Sequence, residues 1–111
     1  MRRILSAALA VGLLGMGACG PREPRAKAVL TLTGDAARGR ALYAQACARC
    51  HAGGATAWRW TLRLYGDDGV VSTMIDGVPH TRMPSFSTWS DLQLADVHAY
   101  LRSAGQTLVR Q

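Results

Sequence analysis

The stretch Cys47-Ala48-Arg49-Cys50-His51 decides the fold of this 111-residue chain. Two cysteines separated by two residues, with a histidine directly after the second, are typical of a c-type haem attachment site. Thiols at this spacing form thioether bonds to the two vinyl groups of one porphyrin, and the adjacent imidazole then lies beneath the iron. The motif therefore predicts one haem c bound through Cys47 and Cys50, with His51 as an axial ligand.

Two alternatives use the same cysteine pair, a zinc site and a dithiol redox centre. Zinc needs two more ligands, and the remaining His80, His98 and Cys19 do not form a pair at zinc-ligand spacing. A thioredoxin-like dithiol is expected within a βαβ pattern, which this sequence does not show. Neither alternative requires the adjacent histidine, so haem attachment is the favoured interpretation.

Residues 1–18 predict a bacterial export signal. Arg2 and Arg3 precede an apolar run that is too short to span a bilayer comfortably. The run ends in Met16-Gly17-Ala18-Cys19, which is similar to the cleavage box of a lipoprotein, whose cysteine is lipidated. Ordinary cleavage would leave Cys19 as a free thiol, a liability in an oxidising compartment. We therefore expect a lipid anchor at Cys19, on the periplasmic side of a bacterial membrane.

The remaining chain has room for one domain. Residues 19–32 contain glycine, prolines and mixed charge, which predict a lipidated N-terminus and a flexible tether. Residues 33–105 are expected to form the folded domain, and residues 106–111 a C-terminal tail. The formal net charge of +6 falls when the signal is removed, and the mildly basic product suits an acidic protein partner. The export signal excludes nucleic acid, and we expect a monomer.

Three helices are predicted from caps and apolar spacing. They cover approximately residues 35–48, 69–75 and 90–102. Asp35 starts the first helix, Asp67 or Asp68 caps the second, and Gly77 closes it. The last helix starts with a capping box at Ser90–Gln93 and ends before Gly105. Gly39 lies inside the first helix at a cost of about 1 kcal/mol, which suggests close approach of another group. His98 lies off the apolar stripe of the last helix and is predicted to be solvated.

Aromatic and basic residues cluster after the haem motif: Trp58, Arg59, Trp60 and Arg63. Indole N–H groups and guanidinium groups are suitable donors to haem propionates, so these four residues are candidate haem contacts. The alternative is that the tryptophans are core residues and the arginines are solvated.

The segment around Met83 supplies the candidate second iron ligand. Met83 precedes a proline and lies outside any helical pattern, and a thioether is a soft ligand for haem iron. His/Met ligation raises the reduction potential, whereas ligation by His80 would lower it. Met74 also competes, but it lies in a helical run, where methionine is more often a core residue. We therefore predict ligation by His51 and Met83.

The chain resembles the class I cytochromes c over residues 34–104. The matching residues are Gly34, Asp35, Gly39, Tyr43, the haem motif, Met83-Pro84-x-Phe86, Val97, Tyr100 and Leu101. The resemblance implies an all-α fold of three to four helices wrapped around one covalently bound haem. It also implies that the first and last helices cross near Gly39.

Two departures from this family affect the haem environment. Many members have a proline shortly after the haem motif, whose loop orients the proximal histidine, but here Gly53-Gly54 lead into Ala55-Thr56. The hydrogen-bond partner of the His51 imidazole is therefore left open. Only 31 residues separate His51 from Met83, which is short for the family and implies a more exposed haem edge.

The predicted function is transfer of single electrons between respiratory partners such as an oxidase, a dehydrogenase or a reductase. The sequence shows no evident acid–base pair for substrate chemistry, so we do not predict an enzyme. One alternative is the electron-accepting haem subunit of a periplasmic dehydrogenase complex. Another is a gas-binding haem sensor, which would require Met83 not to be a ligand.

Overall fold

The structure is a computed structural model that describes residues 24–52 and 54–106. Its four helices are α1 (Pro24–Leu30), α2 (Ala36–Ala46), α3 (Gly54–Asp76) and α4 (Asp91–Gln106). The described ranges contain no strand, so the predicted all-α fold is confirmed. α4 packs against each of the other three helices, and α1 also packs against α3. Within the same ranges, no helix is both long and apolar enough to span a bilayer.

Three predictions concern residues outside these ranges. They are the export signal at 1–18, the lipid anchor at Cys19 and the tail residues 107–111.

α2 and α4 cross at Gly39. Asp35 caps the N-terminus of α2, where its carboxylate accepts a hydrogen bond of 2.8 Å from the amide of Arg38. A Cβ atom on Gly39 would lie 1.8 Å from the carbonyl oxygen of Asp96 in α4. The rings of Tyr43 and Tyr100 meet at the same crossing, with centroids 5.2 Å apart. The expected role of Gly39 in a close helix crossing is confirmed.

A buried carboxylate joins the two helices at this crossing. Asp96 is only 3% exposed, and its carboxylate accepts hydrogen bonds from the Asp35 amide (2.7 Å) and from Arg38 Nε (2.9 Å). The hydrogen bond from Arg38 lowers the pKa of Asp96, and this outweighs burial, which alone would raise it. The start of α2 is therefore tied to α4 by an ionised aspartate.

We expect the free energy of unfolding to fall as the pH drops below about 4, the ordinary pKa of an aspartate. Because the pKa of Asp96 is lower in the folded state, the unfolded chain takes up the proton first, and the stabilisation is lost with acidification. Asp96→Asn should lower stability at neutral pH by about 1–3 kcal/mol and flatten its dependence on acidic pH. Denaturant titrations at several pH values would measure both effects. The exposed Asp76→Asn is the control, and equal acid slopes for wild type and Asp96→Asn would contradict the assignment.

α3 bends at Gly66, where the backbone has φ 71° and ψ 172°. The helical segment after the bend contains the helix predicted at 69–75, and Gly77 (φ 70°) ends it as expected. Asp67 was expected as one of two possible caps of that helix. Its carboxylate instead binds α4, through His98 Nε2 at 2.8 Å and Arg102 Nη1 at 2.6 Å and 2.7 Å.

The prediction that His98 is solvated is wrong. Its side chain is only 14% exposed, because it lies between α3 and α4 and binds Asp67. Burial of Asp67 would raise its pKa, but hydrogen bonds from His98 and Arg102 more than compensate and lower it. These contacts fix the second segment of α3 against α4.

The prediction of a flexible tether is wrong for residues 24–30, which form α1. Ala26 and Val29 are fully buried, so α1 contributes to the hydrophobic core. Arg25 anchors it to the start of α4: Nε donates to Asp91 Oδ1 at 2.6 Å, and Nη2 donates to the carbonyl of Trp89. The composition of this segment suggested a tether, but burial of the small apolar face of α1 stabilises it as a helix.

The predicted capping box at the start of α4 is confirmed. Ser90 N donates to Gln93 Oε1 at 2.9 Å, and Gln93 N donates to Ser90 Oγ at 3.1 Å. The helix continues one turn beyond the expected end near Arg102. Gly105 lies inside it, where a Cβ would be 3.4 Å from the backbone of Arg59. Gly105 is thus a contact residue between helices rather than the end of the helix.

Candidate haem site

A cavity of about 850 Å³ lies between the end of α2, the inner face of α3, the loop after α3, and α4. Cys47, Cys50 and His51 lie at its wall together with Met83, which is distant in sequence. The predicted attachment residues and the two predicted iron ligands therefore line one cavity. Its volume falls in the range of pockets that bind cofactors.

One face of α3 lines this cavity with five residues, of which only Trp58 was predicted as a haem contact. They recur at helical spacing: Ala57, Trp58, Thr61, Leu64 and Tyr65. Leu64 is 74% exposed and Tyr65 is 68% exposed, so apolar surface is open toward the cavity. This spacing is visible in the sequence and would have identified the face as apolar.

A hydrogen-bond chain holds the backbone at His51. Trp58 Nε1 donates to Tyr43 Oη at 3.0 Å, and Tyr43 Oη donates to the carbonyl of His51 at 2.8 Å. Burial raises the pKa of Tyr43, so the phenol stays protonated and remains a donor at neutral pH. The chain links α2 and α3 to the haem motif and sets the position of the His51 backbone.

The environment of Cys47 does not favour the dithiol alternative. Burial raises the pKa of its thiol, whereas reactive redox cysteines have lowered values. The zinc alternative also lacks ligands, because residues 24–52 and 54–106 bring together no group of three His, Cys, Asp or Glu side chains able to hold a metal ion. The motif is thus best suited to thioether attachment.

Met83 lies in a loop that packs closely on the end of α3. A Cβ atom on Gly77 would lie 2.8 Å from the carbonyl oxygen of Met83, so only glycine permits this approach. The amide of Phe86 donates to the carbonyl of Met74 at 2.9 Å, and Ser85 Oγ donates to the carbonyl of Ile75 at 2.5 Å. Before the methionine, Val78 N donates to the carbonyl of Met83 at 3.3 Å, and Met83 N donates to Thr81 Oγ1 at 3.2 Å. The loop is therefore held on both sides of Met83.

The two rival ligands differ from Met83 in position. His80 is exposed, has φ 61°, and is not among the residues that line the cavity. Met74 lines the cavity but is 7% exposed and belongs to the hydrophobic core, as its helical context predicted. Met83 therefore combines cavity access with a position outside the helices.

The structure does not bring the four predicted propionate contacts together. Trp58 lines the cavity, but its indole N–H is already donated to Tyr43. Arg59, Trp60 and Arg63 lie outside the lining, on another face of α3. Residues one position apart on a helix point about 100° apart, so a cluster in sequence is divided between two faces.

The cavity suits a large, flat, mostly apolar group with a few polar anchors. Apolar side chains form most of its wall, two thiols lie at one side, and an imidazole and a thioether are available as iron ligands. Both are known ligands of haem iron. The residues present therefore fit haem c.

The helical fold and the cysteine–histidine site together define a class I c-type cytochrome. The chain belongs to the family described as cytochrome c oxidase, cbb3-type, subunit III, whose family model matches residues 34–101. No curated protein and no solved structure gives a significant match. A c-type cytochrome domain implies a covalently bound haem and haem-based electron transfer.

Proposed function

We propose that this chain is an exported mono-haem cytochrome c that carries single electrons between respiratory partners. Haem c would be attached through Cys47 and Cys50, with His51 and Met83 as axial ligands. The observation that carries the proposal is the meeting of these four residues at one apolar cavity. When bound, the haem supplies a reversible one-electron couple at its iron.

The protein's own residues would set the properties of that couple. The Trp58–Tyr43 hydrogen-bond chain positions the backbone of His51, and the loop bonds after Gly77 hold Met83 in place. A loop fixed on both sides of the methionine favours retention of the sulfur ligand, which raises the reduction potential. Apolar side chains exclude water from the wall, which further disfavours the more highly charged oxidised state.

Partners and location follow from the family and from the leader sequence. The family description names a cbb3-type oxidase, which favours a redox complex as the partner over a diffusible substrate. A lipid anchor at Cys19 would hold the domain near membrane-bound partners and raise its effective concentration there. The short span of 31 residues between His51 and Met83 favours an exposed haem edge, which would be the contact through which electrons pass.

Covalent attachment is tested by expressing the full chain with export and measuring the mass and colour of the purified protein. We expect the mass to exceed that of the polypeptide by one haem and the pigment to resist extraction by acidified acetone. The double variant Cys47→Ala/Cys50→Ala should lose the bound pigment. The control Cys19→Ser should keep the pigment but should no longer be found in the membrane fraction. A colourless wild-type protein would overturn the proposed function.

A further inference from the structure

A second, smaller cavity of about 290 Å³ lies on the side of α3 that faces away from the haem motif. It is formed between the bend at Gly66 and the end of α4, and Arg59, Arg63 and Arg102 line it. None of its lining residues belongs to the larger cavity. The two cavities therefore lie at separate places on the same domain.

The charge of this small cavity is positive. Asp67 is its acidic lining residue, and its carboxylate is bound by Arg102 and by His98. Arg59 and Arg63 instead approach the ring of Trp60, with guanidinium carbons 5.6 Å and 5.8 Å from the ring centroid. Among residues 24–52 and 54–106, neither guanidinium forms an ion pair with a carboxylate.

Trp60 adds an aromatic surface beside the two arginines. It is 50% exposed, and the guanidinium groups hold the ring in place by cation–π contact. Tryptophan and arginine are the residue types that contribute most to binding at protein interfaces. A fixed arginine also presents a planar pair of donors that matches a carboxylate.

We propose that Arg59, Trp60 and Arg63 form a docking site for an acidic segment of a partner protein, with a carboxylate side chain entering the small cavity. The site is distinct from the haem edge, so a partner bound here leaves that edge free for electron exchange. The site does not depend on the presence of haem.

A bilayer surface is the less suitable occupant. Helices that lie in a membrane interface present a broad apolar stripe below their basic residues. Here Leu64, one turn after Trp60, lines the larger cavity, and the other side of Trp60 carries the guanidinium groups of Arg59 and Arg63. The small cavity is concave and lined by three arginines, whose planar guanidinium groups match single carboxylates better than they match a flat bilayer.

The test uses the full holoprotein and two probes, a hexaglutamate peptide and vesicles containing phosphatidylglycerol. Peptide binding is followed by the NMR shift of the Trp60 indole N–H and by titration of the dissociation constant. We expect Arg59→Glu/Arg63→Glu to weaken peptide binding by about tenfold or more. Arg59→Gln/Arg63→Gln should weaken it less, because charge is removed without being reversed.

The matched control is Lys27→Glu/Arg40→Glu, which changes the net charge equally at two exposed positions on other helices. It should weaken peptide binding by less than about threefold. Equal losses in the two charge-reversal variants would show a general charge effect and overturn the proposal. Vesicle binding that depends on Arg59 and Arg63, with peptide binding unaffected, would assign the surface to lipid instead. The haem spectrum should be unchanged in every variant, which separates this outcome from a failure of the proposed function.

Discussion

Replacing Met83 with alanine is expected to remove the sulfur-to-iron charge-transfer absorption of the oxidised protein and to lower the reduction potential. The expected shift is on the order of 100 mV, because axial ligands set haem potentials over a wide span. The ferrous variant should also bind carbon monoxide, which a His/Met-ligated iron resists. Absorption spectroscopy and a redox titration of the purified holoprotein measure these changes.

Two controls separate Met83 from its rivals. His80→Ala should leave the spectrum and potential unchanged, because His80 is exposed and does not line the cavity. Met74→Leu should keep the sulfur absorption and alter only stability, because Met74 is part of the core. Survival of that absorption in Met83→Ala, with its loss in Met74→Leu, would reassign the ligand to Met74.

The second large effect is expected from Gly39→Ala, which should prevent α2 and α4 from packing at their present distance. An added Cβ would overlap the carbonyl oxygen of Asp96 at 1.8 Å, and backbone atoms cannot rotate away as a side chain can. Overpacking a core typically costs about 1–3 kcal/mol, and a backbone overlap should reach or exceed the upper value. Thermal and denaturant unfolding would show the loss.

Gly105→Ala is the matched control for this prediction. Gly105 is also buried in a helix at an interhelical contact, but its Cβ would meet Arg59 at an ordinary 3.4 Å. The change should be neutral or stabilise the protein by up to about 1 kcal/mol, because alanine favours a helix over glycine. Comparable destabilisation by the two substitutions would contradict a specific role for Gly39.

The local signals in the sequence predicted the elements that depend on neighbouring residues. The Asp35 cap and the Ser90–Gln93 capping box were recognised because their hydrogen bonds join residues three apart. Gly77 was predicted as a helix end because glycine adopts a positive φ at little cost. The bend at Gly66 and the full length of α3 were not recognised, because they depend on contacts with α4.

Contacts between distant residues accounted for the errors. α1 has the composition of a tether, and only the buried contacts of Ala26 and Val29 make it part of the domain. His98 lies off the apolar stripe of α4, but Asp67, 31 residues away, binds and covers it. The burial of the Asp96 carboxylate likewise depends on α2, because Arg38 of that helix compensates its charge through a hydrogen bond.

By itself the sequence determined the chemistry that this chain can hold, because haem attachment depends on five consecutive residues whose spacing is set by covalent geometry. It also determined that the fold is helical, through caps and apolar spacing within single helices. Only the tertiary structure decided which side chains share the cavity with that motif and which face away from it. The reason is that packing of α2, α3 and α4 sets the direction of each helix face, so Trp58 lines the cavity whereas Arg59, Trp60 and Arg63 form a separate surface.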